Sequence, residues 1–398
     1  MLDILQRGME RPRLTAELRS TPPSEGEWRA VAAAAAPASR FLCAAWYCAW
    51  ARSFLPHQSW RGPLGYLSVH DSDGRLRAVV PLATQRQHGV SVSSLGGFYW
   101  PFRAPLIAEA GADESCDALA DALTRSRSHV ALRCGPVPET DAGAARLRAA
   151  LANKGWRVHR SVLGTTYEVE LPGTWDELEQ RLGKSLRSNT KYYERKMARE
   201  GALEIRCCRG AGNPAWRATL EDLATIERGS WQFREGGTMR FHGERNAAFW
   251  TNLLVDGGLG ESATAWVMYF DSEPVSFGFC IDCGDTRHVL ANNYVERVHR
   301  YSTGTVLYRY VFRDAIESGV IRRINIGMGD SGYKSRWSAM PAFGLEDWIA
   351  FRPGPVGRAL DAAWRVHRAI GERRATSRGE SDNPDSGDDR APVPERAR

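Results

Sequence analysis

A chain of 398 residues is too long for one compact α/β domain and suits two. With 43% hydrophobic residues and 25% charged ones, its body has the apolar surface to fold unaided, which excludes a wholly disordered chain. The net charge of +6 is modest. It fits an anionic ligand such as a nucleotide, a phosphosugar or a membrane's inner face, and equally a merely solvated basic surface.

Eight cysteines in this length make no disulfide framework. Cys280 and Cys283 form a Cys-x-x-Cys inside a strand-like run, where residues three apart face opposite sides, so reduced thiols in a cytoplasmic protein are expected and no metal. Residues 1–14 mix charges without an apolar core and do not read as a signal peptide. The apolar run 41–51 is too short to span a bilayer.

Taken in chain order, residues 1–35 read as an irregular lead-in, and a first lobe over 36–165 begins with an aromatic-rich helix at 41–51. Strands are expected at 64–69, 76–84, 90–98 and 129–134, with helices at 112–126 and 142–154, the latter stopped by Gly155. A second lobe, 166–352, opens with a strand at 166–171. Thr174 and Glu177 then form a capping box, and Trp175, Leu178, Leu182, Leu186, Tyr193 and Met197 recur at helical spacing as far as Gly201. One long helix, bent near Asn189, is the economical reading. After a strand at 203–208 and helices at 216–229 and 246–256, a meander of strands follows at 263–270, 275–283 and 286–296. The pattern closes with a helix at 303–318, a strand at 321–326, a Gly-rich loop at 327–332, a C-terminal helix at 353–370 and a disordered tail at 371–398.

The junction at Arg300, Tyr301, Ser302, Thr303, Gly304 and Thr305 carries the most chemistry. Free amides at a helix start, small residues and a nearby Arg make an anion site suited to a pyrophosphate; the plainer alternative is an N-cap by Ser302 or Thr303. The helix bearing Arg181, Lys184, Arg187, Lys191, Arg195, Lys196 and Arg199 reads either as a contact for an anionic co-substrate or membrane headgroups, or as a solvated face. Tyr192 and Tyr193 are its only interleaved aromatics, so no nucleic-acid partner is expected.

The segments 182–187, 195–201, 273–277, 300–305 and 327–337 together resemble the CelD-like (BcsL-like) branch of GNAT acyltransferases, tied to exopolysaccharide synthesis and related to the Fem peptidoglycan aminoacyl transferases. The resemblance implies an α/β fold of mixed sheets, in two tandem GNAT-like lobes, the second carrying the acyl-donor site. It implies acetyl-CoA as co-substrate, bound by residues 300–305, and a lipid- or nucleotide-linked sugar as acceptor, with peripheral membrane contact through the basic helix. Glu296 is then the first choice for general base, sharing a strand face with Asn292 and Tyr294. Lys334 and Tyr333 stand near the transferring acyl group, and Asp330, Asn292, Trp337, Arg187 and Lys191 contact substrate. The rival readings are a Fem-type aminoacyl transferase and an inactive partner protein of the same fold.

Overall fold

The stretch before residue 36 departs first from that expectation. In the computed structural model, which describes residues 14–36, 43–57, 64–87, 90–99, 103–126, 129–256, 258–329 and 332–378, it forms strand β1 (Thr15–Arg19) and helix α1 (Glu25–Ala34). A capping box starts α1: the Ser24 hydroxyl accepts the Glu27 N–H and the Glu27 carboxylate accepts the Ser24 N–H. Trp28 and Val31 bury its inner face.

The chain divides into two units, the first formed by residues up to Leu163 together with those from Gly344, the second by Gly164–Phe343. In the first, α2 (Ala44–Phe54) precedes β2 (Gly65–His70), β3 (Leu76–Gln87), β4 (Val90–Leu95) and the short β5 (Leu106–Ile107). Then come α3 (Ala112–Arg125), β6 (Ala131–Pro138), α4 (Ala142–Asn153) and β7 (Arg157–Glu170), whose later half enters the second unit. Strands β1 to β4 pair antiparallel in sequence, whereas β4 and β6 pair parallel, over Val92–Ser94 and Ala131–Arg133.

The second unit continues with α5 (Trp175–Arg181), α6 (Lys184–Glu200), β8 (Leu203–Arg209), α7 (Ala215–Arg228), α8 (Trp231–Arg234) and α9 (Glu244–Trp250). The single long helix expected here is two, because Leu182 and Gly183 adopt extended backbone, both with ψ of 143°. Leu178, Leu182 and Leu186 still bury in one cluster, so the apolar spacing survives the break. Strands β9 (Ala263–Phe270), β10 (Glu273–Cys283) and β11 (Thr286–Tyr294) form the expected meander, followed by α10 (Thr303–Glu317) and β12 (Arg323–Met328). The strand order is β7-β12-β11-β10-β9-β8, antiparallel except for β11 with β12, which pair parallel over Thr286–His288 and Arg323–Asn325. Each unit thus repeats one plan: an antiparallel meander, a helix, and a returning parallel strand held by three residues.

Strand β13 (Met340–Phe351) and helix α11 (Pro355–Arg378) were expected with the second lobe and as a separate helix ending at 370; from Gly344 they belong instead to the first unit. The cause is pairing of Leu345–Phe351 with β6, backed by two buried carboxylates. Glu346 takes both Arg148 and Arg160, and Asp361 takes Arg157, His159 and Arg365. The helix covers the first residues of the segment expected to be disordered; the rest of that tail lies outside the described residues. All eight cysteines are free, with Cys116, Cys134, Cys208 and Cys280 buried and Cys207 exposed. Among the described residues no helix is long and apolar enough to cross a membrane.

The core of the second unit lies where α5, α6 and α10 cover the sheet. Trp337, 1% exposed, packs against Phe312 at 4.7 Å and Tyr308 at 5.8 Å between ring centroids. Trp337→Ala should therefore cost roughly 3–5 kcal/mol through the cavity it leaves, read as a lowered urea midpoint. His288, the last residue of β11 paired with β12, is buried, and burial, with a lesser effect of Arg323, lowers its pKa to about 4. Below the ordinary value of 6.5 the unfolded chain gains a proton that the folded ring refuses, so stability falls as pH drops from 6.5 to about 4 and then levels. His288→Asn should lose less stability than the parent between pH 7 and pH 4.5, measured by urea unfolding at each pH.

Candidate active site

Beyond their three paired residues, β11 and β12 separate. Residues 289–293 of one and 326–328 of the other line a cavity of about 290 Å³. Along their facing edges the ladder is interrupted, so backbone polar groups are left to meet a ligand or water. Gly327, at φ +82°, takes a left-handed turn that a side chain resists, and the Asn325 side chain fixes its N–H at 2.9 Å. The following loop brings Tyr333 and Lys334 back to the cavity.

Lys334 is 3% exposed. Its ammonium donates to the Met328 carbonyl at 2.7 Å and lies 5.6 Å and 5.9 Å from the ring centroids of Tyr167 and Tyr333. Tyr308, from α10, buries its ring 6.2 Å from that of Tyr333, and its hydroxyl interacts with Tyr333 and Asn292. Burial, reinforced by Tyr333, pushes the Tyr308 hydroxyl well above the usual phenol range, so it stays protonated and acts as a donor. Asn292, Tyr333 and Lys334, three of the residues singled out in the sequence, are thus brought together.

The start of α10 adjoins this cavity through Asn292. Asn292 Nδ2 donates to the Gly304 carbonyl at 3.4 Å, and a Cβ on Gly304 would stand 2.7 Å from Asn292 Oδ1, so only glycine admits that approach. The amides of Thr305 and Val306 bond to the Ser302 carbonyl, as at any helix start. Those of Thr303 and Gly304 are left over, and the buried Thr303 hydroxyl has no partner. Ser302 itself is left-handed, with φ +50° and ψ +43°, and does not cap the helix. Arg300 and Tyr301 turn away: Tyr301 is 2% exposed, its hydroxyl donates to Glu200, and Arg300 joins the same carboxylate at 3.2 Å. An anion at this helix start would accordingly meet residues 303 and 304 rather than the Arg300 guanidinium.

The remaining candidates lie elsewhere. β11 ends at Tyr294, so Glu296 opens a 3-10 turn (Glu296–Tyr301) instead of sharing a strand face with Asn292. Its half-exposed carboxylate pairs with Arg234 and lines a second, open cavity of about 530 Å³ with Gly229 and Arg297. Tyr294 packs beside Val298 and His299, and burial raises its hydroxyl pKa. Trp337 is a core side chain, not a substrate contact. On α6, Lys191 pairs with Glu179 at 2.7 Å, and neither it nor Arg187 lines the cavity. Asp330 lies outside the described residues.

Sequence reasoning missed Tyr308, Asn293, Gln232 and Glu227, all on the cavity wall. Tyr308 stands one helical turn after Gly304, on the same face. Glu227 interrupts the buried stripe of α7 formed by Trp216, Leu220 and Leu223, and a carboxylate at such a position was the available signal.

Residues 184–335 match the model of the acetyltransferase (GNAT) domain, a span that includes β8 to β12, α10 and the whole cavity lining. No curated protein matches the sequence. Among solved structures the chain is similar to FemX, with 11% identity and a TM-score of 0.55 over 84% of this chain and 96% of that one. It is also similar to the C-terminal domain of a putative lysylphosphatidylglycerol synthetase from Agrobacterium fabrum, with 14% identity and a TM-score of 0.49 over 87% and 97%. The likeness to FemX is one of fold, mixed α/β through both units. The domain match thus falls within the second unit and takes in the cavity between β11 and β12.

Proposed function

We propose that the second unit moves an acetyl or related acyl group from acyl-CoA to an amine or hydroxyl of a sugar in exopolysaccharide or cell-envelope synthesis. The observation that carries this reading is the meeting, in one cavity, of a buried ammonium and a phenol held protonated, beside a helix start with two unused amides that Asn292 joins to the cavity. The donor supplies a thioester carbonyl, at which oxygen gains negative charge as the nucleophile attacks and the C–S bond breaks. Lys334 and Tyr308 each present a proton donor to such a charge from a buried side chain on the cavity wall. The amides of Thr303 and Gly304, at the start of α10, are groups of the kind that take phosphate oxygens of a nucleotide donor. The Asn293 and Gln232 side chains, joined at 3.1 Å, offer amide groups of the kind that read hydroxyls.

Calorimetric titration with CoA tests the donor assignment: the parent should bind, and Gly304→Val, which must displace Asn292, should weaken binding at least about tenfold. Lys334→Gln should keep CoA affinity while lowering turnover of acetyl-CoA roughly 100-fold. A parent that ignores CoA, or a Gly304→Val protein that binds it undiminished, would remove the reading.

A further inference from the structure

We propose that Glu227 is a positioning residue for the acceptor side of this cavity, an inference that rests on the acyltransferase reading and adds to it. Glu227 is 2% exposed at the end of α7, on the cavity wall. Its carboxylate accepts three consecutive backbone N–H groups: Arg240 at 3.0 and 3.1 Å, Phe241 at 2.8 Å and His242 at 2.8 Å. The loop's carbonyls are tied from the other side. Trp250 Nε1 donates to the Arg240 carbonyl at 2.8 Å, and Asn246 Nδ2 donates to those of Met239 and His242, each at 2.9 Å. Phe241 then plugs the core, with ring centroids 5.2 Å from Trp250, 5.4 Å from Phe277 and 5.1 Å from Phe279. A loop so fixed presents Thr238 and Arg240 to the cavity in one arrangement.

The side on which it does so follows from the strand. Alternation along β11 sets Asn292 against Gly304 of α10, and Asn293 towards Gln232 of α8. The α10 side holds the unused amides and the candidate donor contacts. The side formed by α7, α8 and the clamped loop is left for the acceptor. Glu227 touches neither reactant in this scheme. It acts by giving three consecutive amides one carboxylate acceptor, and so keeps the wall from relaxing into the cavity.

Glu227→Gln replaces one acceptor oxygen by an NH₂ that faces the amides, whereas Trp250→Phe removes one carbonyl tether and keeps a ring in the stack. Two readouts are needed: amide hydrogen exchange at Phe241 and His242, which requires no ligand, and steady-state acetylation of glucosamine from acetyl-CoA. Both variants should exchange these amides faster and raise KM for glucosamine, about tenfold for Glu227→Gln and less for Trp250→Phe, while CoA affinity stays within about twofold of the parent. Unchanged exchange in Glu227→Gln overturns the clamp. Faster exchange with an unchanged KM in both variants leaves Glu227 a purely structural residue and overturns its positioning role. Loss of CoA binding by the parent would instead strike the donor reading, while the exchange measurement still decides on the clamp.

Discussion

Three paired residues decide most of what this chain can do. Parallel strands β11 and β12 meet through Thr286–His288 and Arg323–Asn325 and then part, and the cavity is the space they leave. Closing the ladder would satisfy more backbone groups but would seal the site. The separation is stabilised from outside: β12 bonds to β7, β11 bonds to β10, and Asn325 spends its side chain on Glu168 and the Gly327 amide. Each strand thus stays paired along one edge while the other edge faces the cavity.

That constraint explains which predicted residues converged. Asn292, Tyr333 and Lys334 lie on the backbone segments that diverge, and strand and loop position alone brought them together. Glu296 was assigned by extending the alternation of β11 two residues too far; the strand stops at Tyr294 and the chain turns. Arg300 was assigned from its place beside a helix start, yet a side chain of that length is claimed by whichever carboxylate is near. Here Glu200, a hundred residues earlier, takes it. No local pattern reveals a partner at such separation.

The fold was more legible than the site. The meander, α10 and β12 follow from period-two and helical spacing closed by turn residues, and α5 starts at the expected Thr174 and Glu177 box, of which the bond formed is that from the Glu177 N–H to the Thr174 hydroxyl. What failed was weighing competing signals. Ser24 and Glu27 form the same kind of box, passed over because its neighbourhood was rich in Pro and charge. The run 340–351 was left without a strand, because its membership in the first unit depends on pairing with residues two hundred positions away. Gly183, tolerated in a helix at a cost of about 1 kcal/mol, instead ends one helix and begins the next.

A device recurs through both units: a carboxylate surrounded by donors, buried at Glu346, Asp361 and Glu227 and partly exposed at Glu194 and Glu200. In the first unit Glu346 joins two arginines, and Asp361 joins two arginines and His159. In the second, Glu194 holds Arg309 and Tyr310, Glu200 holds Arg300 and Tyr301, and Glu227 holds three amides. Pairs of this kind contribute little net stability, since desolvation offsets much of the Coulomb gain, but breaking one partner is costly. Their effect is therefore on geometry more than on folding energy. On the basic helix α6, the two carboxylates Glu194 and Glu200 tie it to α10 and to the turn before it. These contacts of Glu194 and Glu200 help fix where α10 begins, and hence where its two unused amides point.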